Sequence, residues 1–369
     1  MGNNAIRNDD VEVHSDNVRA QDDLWNKKTH KNQHTIYFDV LTILAAIAVV
    51  SMHINSQYWQ FRDAPSWWLN VFIEKTSYWA VPVFYMISGA TLLNYRDRYS
   101  TTVYIKKRII RTVIPFLCWS VVGIAYGMFR SGSVPIGKGI AFYINMIINT
   151  SIPEVNVYWF FIPLFAIYLS IPALSLFERS KRIKAFCWIV VYFFVGYILG
   201  KLLPVFSLEM NPAFYNPLCQ GWVVYPILGY VLANINFEKK HRIVIYVAGF
   251  VGWMTMVGAT VHCSYQTGEL RHALSDGTGL PVAMLACAVF VGVRAFVQNE
   301  YSFFRKNEQG SGGCLIMLWR IFDSQIRVGR TFTIDRHRSQ PLVVAAGGNT
   351  NRGRHIFLFS CIVKDHSVY

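Results

Sequence analysis

The chain has 369 residues and a formal net charge of +14 at pH 7; 53% of its residues are hydrophobic, 15% are aromatic and only 15% are charged. Soluble domains carry about 25% charged residues, whereas this chain has apolar runs of about 20 residues, the length that crosses the hydrocarbon core of a bilayer. The composition excludes an array of soluble domains and predicts an all-α, polytopic membrane protein.

Hydropathy predicts eight transmembrane helices, preceded by a polar segment. Residues 1–34 mix acidic and basic side chains and contain no apolar stretch, so they predict a disordered cytoplasmic tail and no cleavable signal peptide. A shorter apolar stretch with polar flanks, at 136–149, predicts an interfacial helix on the outer surface. The predicted spans are residues 36–54, 67–93, 109–129, 157–176, 185–203, 218–235, 243–261 and 279–297.

Lysine and arginine residues are distributed unevenly between the loops. With the N-terminus in the cytoplasm, that side holds Lys27, Lys28, Lys31, Arg96, Arg98, Lys106, Lys107, Arg108, Arg179, Lys181, Arg182, Lys184, Lys239, Lys240 and Arg242. The opposite loops hold only Arg62, Arg130, Lys138, Lys201 and Arg271. Because this is the positive-inside pattern, we expect the cations to orient the chain and contact membrane lipids, and we expect no nucleic-acid partner.

The outer loops and the cysteines give weaker indications of function. Residues 55–66, 204–217 and 262–278 are rich in Trp, Tyr, Pro, Asn and His. They fit an interfacial aromatic belt, and equally a polar, aromatic rim that binds a sugar. The seven cysteines show neither CxxC pairing nor metal-ligand spacing, so we predict no metal site and no disulfide framework.

The character of the chain changes after residue 297. Residues 299–369 contain ten lysines and arginines and no apolar run of 18 residues. We therefore divide the chain into a tail at 1–34, a transmembrane domain at 35–300 and an atypical basic tail at 301–369. Contact of the basic tail with anionic lipid is its ordinary explanation.

Four segments, in order and with consistent spacing, resemble a known family. They are YFDVLTILAAIAVVSMH (37–53), VPVFYMISGATLL (81–93), YIKKRIIRTVIPFLCWS (104–120) and VYWFFIPLFAIYLSIPAL (157–174). Together they resemble the acyltransferase type 3 family, integral-membrane O-acyltransferases that modify surface glycans. The similarity covers residues 35–300 and is nearest to the branch that acetylates enterobacterial common antigen. It implies a bacterial cytoplasmic (inner) membrane protein.

The resemblance points to the first helix for catalysis. The family has an arginine and a histidine there; His53 stands at the histidine position, but Thr42 replaces the arginine and cannot carry its charge. Asp39 lies three residues before Thr42, on the same helix face. An imidazole suits general-base catalysis near neutral pH, so His53, with Asp39, is the candidate catalytic pair. The alternative is a histidine that only caps the helix end and hydrogen-bonds water.

Three further residues are predicted on the side where His53 emerges. Glu74 and Lys75 are adjacent near the outer end of the second span, and Glu154 precedes the fourth. An acidic partner for the imidazole is therefore available.

The resemblance places the acyl donor on the opposite side. Arg108 and Arg111 match the family's RxxR pair and, on an α-helix, would share one face. Their planar guanidinium forks suit the phosphates of coenzyme A, so we predict acetyl-CoA as the donor, with Ser88 as a weaker candidate for the acyl tunnel. The alternative is that these cations only set topology, while Ser88 and Gly89 allow close helix packing.

The family has ten spans, of which eight are visible in this chain. We hypothesise a frameshift near residues 300–315 that removes the last two; a genuine soluble extension is the alternative. Loss of two helices would leave the acyl cavity open on one side and the enzyme inactive.

The predicted function is transfer of acetyl from acetyl-CoA to a hydroxyl of a surface polysaccharide or a lipid-linked glycan. The alternative is a transporter or flippase for such a glycan. The missing internal repeat disfavours the transporter, since transporter folds usually carry one.

Overall fold

The computed structural model describes residues 36–214 and 221–306, which form helices and turns with no strand among them. The predicted tail at 1–34 lies outside the described residues, as do residues 307–369 of the predicted tail at 301–369; residues 301–306 of that tail belong to a helix. The chain divides into two compact units. One comprises residues 41–293; the described parts of the other are residues 36–40 and 294–306.

Ten helices organise the described residues. They are α1 (Ile36–Ile54), α2 (Pro65–Ser77), α3 (Ala80–Leu92), α4 (Thr101–Ser131), α5 (Ile140–Ile148), α6 (Pro153–Leu174), α7 (Arg179–Leu202), α8 (Gly221–Asn234), α9 (Lys239–Thr267) and α10 (Leu280–Lys306). Short 3-10 turns at Ser56–Trp59 and Tyr95–Asp97 follow α1 and α3.

Six of these helices are long and apolar enough to cross a membrane: α1, α4, α6, α7, α9 and the Leu280–Gln298 part of α10. This confirms the prediction of an all-α, multi-pass membrane protein. The described part of the predicted span at 218–235 falls on α8, and the span at 67–93 is divided into α2 and α3. The predicted interfacial stretch contains α5, whose 9 residues are too short to cross a bilayer.

The division between α2 and α3 has a cause in the sequence. Pro82 has no backbone N–H, so it cannot donate to the carbonyl of Tyr78, four residues earlier, and its ring crowds that carbonyl. The helix breaks at Tyr78 and Trp79, and regular bonding resumes with the Val83 N–H donating to the Trp79 carbonyl at 3.0 Å. The break makes α2 a separate helix, and the end of that helix carries polar side chains.

The centre of the 41–293 unit is a close crossing of α3 and α8. Every residue of α8 from Val224 to Ala233 is buried. A β-carbon added at Gly89 would overlap the Pro226 carbonyl, and one added at Gly229 would overlap the Met86 carbonyl. The two glycines therefore let the backbones touch, as small residues do between membrane helices. This confirms the predicted packing role of Gly89.

Substitution of Gly229 tests this crossing. Gly229→Ala forces a methyl group against the Met86 backbone, which cannot move as a flexible side chain would. We expect overpacking to lower the free energy of unfolding by about 1–3 kcal/mol or more. The measurement is thermal unfolding of detergent-purified protein.

Gly258→Ala is the matched control, because Gly258 lies in the middle of α9 and no heavy atom lies within 4 Å of its added β-carbon. It should leave stability unchanged or raise it slightly, since alanine has the higher helix propensity. Equal losses in the two variants would contradict the close crossing.

Candidate functional site

His53 lies in the last turn of α1, with its side chain exposed. Within the described chain the imidazole makes no hydrogen bond or ion pair, so its ring nitrogens are available to a ligand. Thr42, at the family's arginine position, is buried at 3% exposure. Asp39 precedes His53 by fourteen residues, which on an α-helix is about 21 Å, so Asp39 cannot hydrogen-bond the imidazole.

The two acids predicted near His53 have other hydrogen-bond partners. Glu74 accepts a hydrogen bond from the Asn55 amide at 3.0 Å, and that amide also donates to the Asn70 carbonyl at 2.8 Å. Glu154 accepts from Ser131 and, at 2.6 Å, from Ser133. Asn55 and Glu74 are both buried, so their bond ties the chain just after His53 to α2. The acid therefore positions the end of α1 instead of contacting the imidazole.

Lys75 is fully buried on the same turn of α2. Its Nζ has no hydrogen-bond acceptor in the described chain. The ammonium instead faces two aromatic rings, at 4.2 Å from the ring centroid of Tyr78 and 5.3 Å from that of Tyr58. Cation–π contacts of this kind offset part of the cost of burying an ammonium.

A second histidine, which the sequence did not single out, joins this cluster. His272 lies in the loop between α9 and α10, and its Nδ1 is 3.1 Å from the hydroxyl of Tyr58 and 3.5 Å from that of Tyr78. Partial burial and the nearby Lys75 ammonium both lower the pKa of His272 below its ordinary value. The only sequence signal was the richness of residues 262–278 in aromatic and polar types, because the contacts join residues more than 190 positions apart.

The predicted arginine pair sits at an irregular point of α4. Residues Ile109–Val113 form a π-helical turn that begins directly after Arg108 and contains Arg111. A π turn holds more residues than an α turn, so two residues three apart do not share a face as they would on a regular α-helix. Arg108 is half-buried and Arg111 is exposed. The prediction that both lie on one face is therefore corrected.

Arg108 packs against tyrosines instead of carboxylates. The centre of its guanidinium is 5.3 Å from the ring of Tyr168 and 5.9 Å from that of Tyr104. Its Nε is buried and has no hydrogen-bond acceptor among the residues that the structure describes. The guanidinium thus lies near two tyrosine rings while its Nε–H has no acceptor in the described part of the chain.

Neighbouring cations are held in the same way. Lys107 lies 4.1 Å from the Tyr99 ring, Arg98 lies 5.8 Å from the same ring, and Arg96 lies 5.3 Å from the Tyr95 ring. Tyr95 in turn stacks on Tyr104, with ring centroids 4.5 Å apart. We call this set the basic–aromatic cluster; it comprises Arg96, Arg98, Lys107, Arg108, Tyr95, Tyr99, Tyr104 and Tyr168.

Arg182 has a structural role that the sequence did not show. It is 6% exposed and donates to the Asn94 amide oxygen at 2.8 Å and to the carbonyls of Ser175 and Phe177, each at 2.9 Å. A further bond reaches the Leu93 carbonyl at 3.3 Å. These acceptors lie just beyond the ends of α3 and α6, so one guanidinium on α7 joins three helices. The charge-based interpretation had counted Arg182 only as a topology signal.

Arg182→Gln tests this role. Glutamine cannot reach all of these acceptors, and each buried carbonyl left without a donor costs about 1–3 kcal/mol. We expect a large fall in the thermal stability of the detergent-purified protein.

Lys181→Gln is the control, because its side chain is 80% exposed and its ion pair with Glu178 is at the surface. It should cost about 1 kcal/mol at most. Equal stability of the Arg182→Gln and Lys181→Gln variants would show that the carbonyl contacts of Arg182 do not hold the three helices.

The Ser88 hydroxyl donates to the Phe84 carbonyl of its own helix at 3.1 Å, and the residue is buried beside the α3–α8 crossing. Among the described residues, no group of three His, Cys, Asp or Glu side chains could hold a metal ion. Cys118, Cys187, Cys263 and Cys287 are free thiols.

A comparison with models of known protein families identifies the family of the chain. The model of the type 3 acyltransferase family, described as an acyltransferase domain, matches residues 35–307, which is well over half of the chain. No curated protein and no solved structure matches the chain. The protein therefore belongs to the type 3 acyltransferase family and is a multi-pass membrane O-acyltransferase.

Proposed function

We propose that the protein transfers an acetyl group from acetyl-CoA to a hydroxyl of a cell-surface polysaccharide or lipid-linked glycan, with His53 as the general base. The observation that carries the proposal is the exposed imidazole at the end of α1, which makes no hydrogen bond within the described chain. A histidine that held the fold would have a protein partner, whereas a helix-end histidine that only hydrogen-bonds water would be equally exposed and is distinguished from a base by the activity of its variant. The resemblance of four segments to the branch that acetylates enterobacterial common antigen supports a surface glycan as the class of acceptor.

The reaction balances with a single histidine. His53 removes the proton of the acceptor hydroxyl as its oxygen attacks the thioester carbonyl carbon. The new C–O bond forms and the C–S bond breaks, so coenzyme A leaves as a thiolate. The proton then passes from the imidazolium to the sulfur, which regenerates the neutral base. The atoms and charges of the reaction balance without further groups. Hydrogen-bond donors near the carbonyl oxygen would stabilise the negative charge that develops on it.

The basic–aromatic cluster supports a donor site for the phosphates of coenzyme A. The Arg108 guanidinium is held against the Tyr104 and Tyr168 rings, while its buried Nε has no acceptor in the described chain. Guanidinium forks bind phosphate in a bidentate fashion, and a fork held in place loses less entropy on binding than a free one. Arg111, exposed on the π turn, adds a second positive charge.

The distribution of positive charge between the loops supports an orientation of the chain in the membrane. Loops rich in Lys and Arg alternate with poor ones, which supports a cytoplasmic N-terminus in the bacterial inner membrane. The basic–aromatic cluster then faces the cytoplasm, where acetyl-CoA is made, and His53 lies toward the opposite side. Thr42 is buried where the family has an arginine, so its side chain supplies no charge at that position.

His53→Ala tests the assignment of the base. Loss of general-base catalysis should reduce acetyl transfer by about 100-fold or more, since positioned bases contribute 10²–10⁴-fold. The measurement is incorporation of labelled acetyl from acetyl-CoA into glycan in isolated membranes. Membrane insertion should be unchanged, because His53 makes no hydrogen bond or ion pair within the described chain.

His241→Ala is the control, as His241 is an exposed histidine at the start of α9. It should retain full transfer. Normal transfer by the His53→Ala variant would end the assignment, and relocation of the glycan without acetylation would favour a flippase.

Arg108→Lys tests the donor site. Lysine keeps the positive charge but loses the planar fork, so the KM for acetyl-CoA should rise on the order of tenfold while the KM for the glycan stays constant. Steady-state kinetics with each substrate varied in turn is the measurement. Lys106→Ala, at an exposed neighbour, should change neither constant. An unchanged acetyl-CoA KM in the Arg108→Lys variant would contradict phosphate binding by Arg108.

A further inference from the structure

We propose that His272 is an acceptor-binding residue, which donates a hydrogen bond from its exposed ring nitrogen to an oxygen of a saccharide stacked on the neighbouring aromatic surface. The inference rests on the proposed function, because it assigns the acceptor side of the same reaction. It concerns a residue that lies outside the first helix and outside the segments that carry the family resemblance.

The first support is that one nitrogen of His272 is already committed. Its Nδ1 lies 3.1 Å from the Tyr58 hydroxyl, and the Tyr58 ring is fully buried. The Trp67 indole N–H donates to the Tyr58 carbonyl at 3.2 Å, which fixes the position of Tyr58. The imidazole is thus held by a rigid partner while its own side chain remains exposed.

The second support is the tautomer that this contact permits. Burial raises the pKa of Tyr58 well above its ordinary value, so its hydroxyl keeps its proton and is able to donate it to Nδ1 of His272. A neutral imidazole that accepts at Nδ1 carries its proton on Nε2. The lowered pKa of His272, caused by partial burial and by Lys75, keeps the ring neutral. Nε2–H is then the donor that remains for a ligand.

The third support is the surface beside that donor. The Trp59 ring is 60% exposed and its centroid lies 5.4 Å from that of His272. Trp68 and Tyr265, 46% and 40% exposed, continue the aromatic surface; the Trp68 indole donates to the Tyr265 hydroxyl at 3.1 Å. That hydroxyl donates to Asp63 at 2.8 Å. Aromatic faces beside a few directed polar groups are the usual make-up of a small-molecule site.

An independent observation comes from the buried Lys75. An ammonium with no hydrogen-bond acceptor in the described chain is costly to bury, and an apolar side chain of similar length would fill the space at lower cost. The adjacent Glu74 carboxylate favours the charged form of Lys75, whereas burial disfavours it. Lys75 also lies against Tyr58 and Tyr78, the two tyrosines that face His272, and its charge biases His272 toward the neutral, ligand-ready form.

The segment after His53 and the side chain of His272 are both held by residues at the same end of α2. The segment that follows His53 is held through Asn55 to Glu74, and His272 is held through Tyr58 and Tyr78, which contact Lys75. Glu74 and Lys75 are consecutive, so a single helical turn orients the end of α1 and the loop between α9 and α10. The segments that carry the proposed base and the proposed acceptor-binding donor are therefore held by neighbouring residues of one helix.

The test measures saccharide binding separately from transfer. Oligosaccharides released by mild acid from the surface polysaccharide of the host are titrated into the detergent-purified full chain, and quenching of tryptophan fluorescence reports the Kd. We expect His272→Ala to weaken binding at least tenfold and His272→Gln, whose amide can still donate, to recover part of it. Trp59→Phe should remove most of the fluorescence change.

His262→Ala is the matched control: it removes an exposed histidine near the same end of α9 that makes no hydrogen bond to a described residue. It should bind as the native chain does. In transfer assays His272→Ala should raise the KM for the glycan and leave the KM for acetyl-CoA unchanged, a split that general misfolding does not produce.

The outcomes separate this inference from the proposed function. Undiminished oligosaccharide binding by the His272→Ala variant would falsify the inference even if acetyl transfer depends on His53. Binding that needs His272 in a chain that transfers no acetyl group would support it and overturn the proposed reaction.

Discussion

The backbone contact between α3 and α8 is the constraint on which the arrangement of the 41–293 unit depends. Between membrane helices there is no hydrophobic driving force of the kind that folds soluble domains, so close packing of backbones supplies much of the association. Gly89 and Gly229 permit that approach from both sides. Since α8 is buried along nearly its whole length, α3 is held in the centre of the unit.

The position of α3 determines both polar regions. Its N-terminal end follows the break at Tyr78, where α2 presents Glu74 and Lys75 to the loops after α1 and α9. Beyond its C-terminal end, the Leu93 carbonyl and the Asn94 side chain receive hydrogen bonds from Arg182. One short helix therefore connects the region of the proposed base with the basic–aromatic cluster, and a shift of α3 would disturb both.

Two buried cations of this unit, Arg182 and Lys75, illustrate different uses of charge. Arg182 is surrounded by oxygen acceptors that match its planar donors, which explains its role in joining helices without any carboxylate. Lys75 has aromatic faces and, within the described chain, no acceptor. The hydrogen bonds of Arg182 stabilise the packing of three helices. The charge of Lys75 is better explained by its electrostatic effect on the neighbouring groups.

The sequence by itself determined the class of the protein, the approximate position of its spans and its family, because apolar runs, loop charges and short motifs are local properties. It also placed His53 at a helix end and Gly89 at a packing contact. Only the tertiary structure revealed the π turn that contains Arg111, the buried state of Arg182, and the meeting of His272 with Tyr58. These depend on contacts between residues far apart in the chain, or on backbone adjustments that follow packing. Hydropathy and residue spacing carry no information about either.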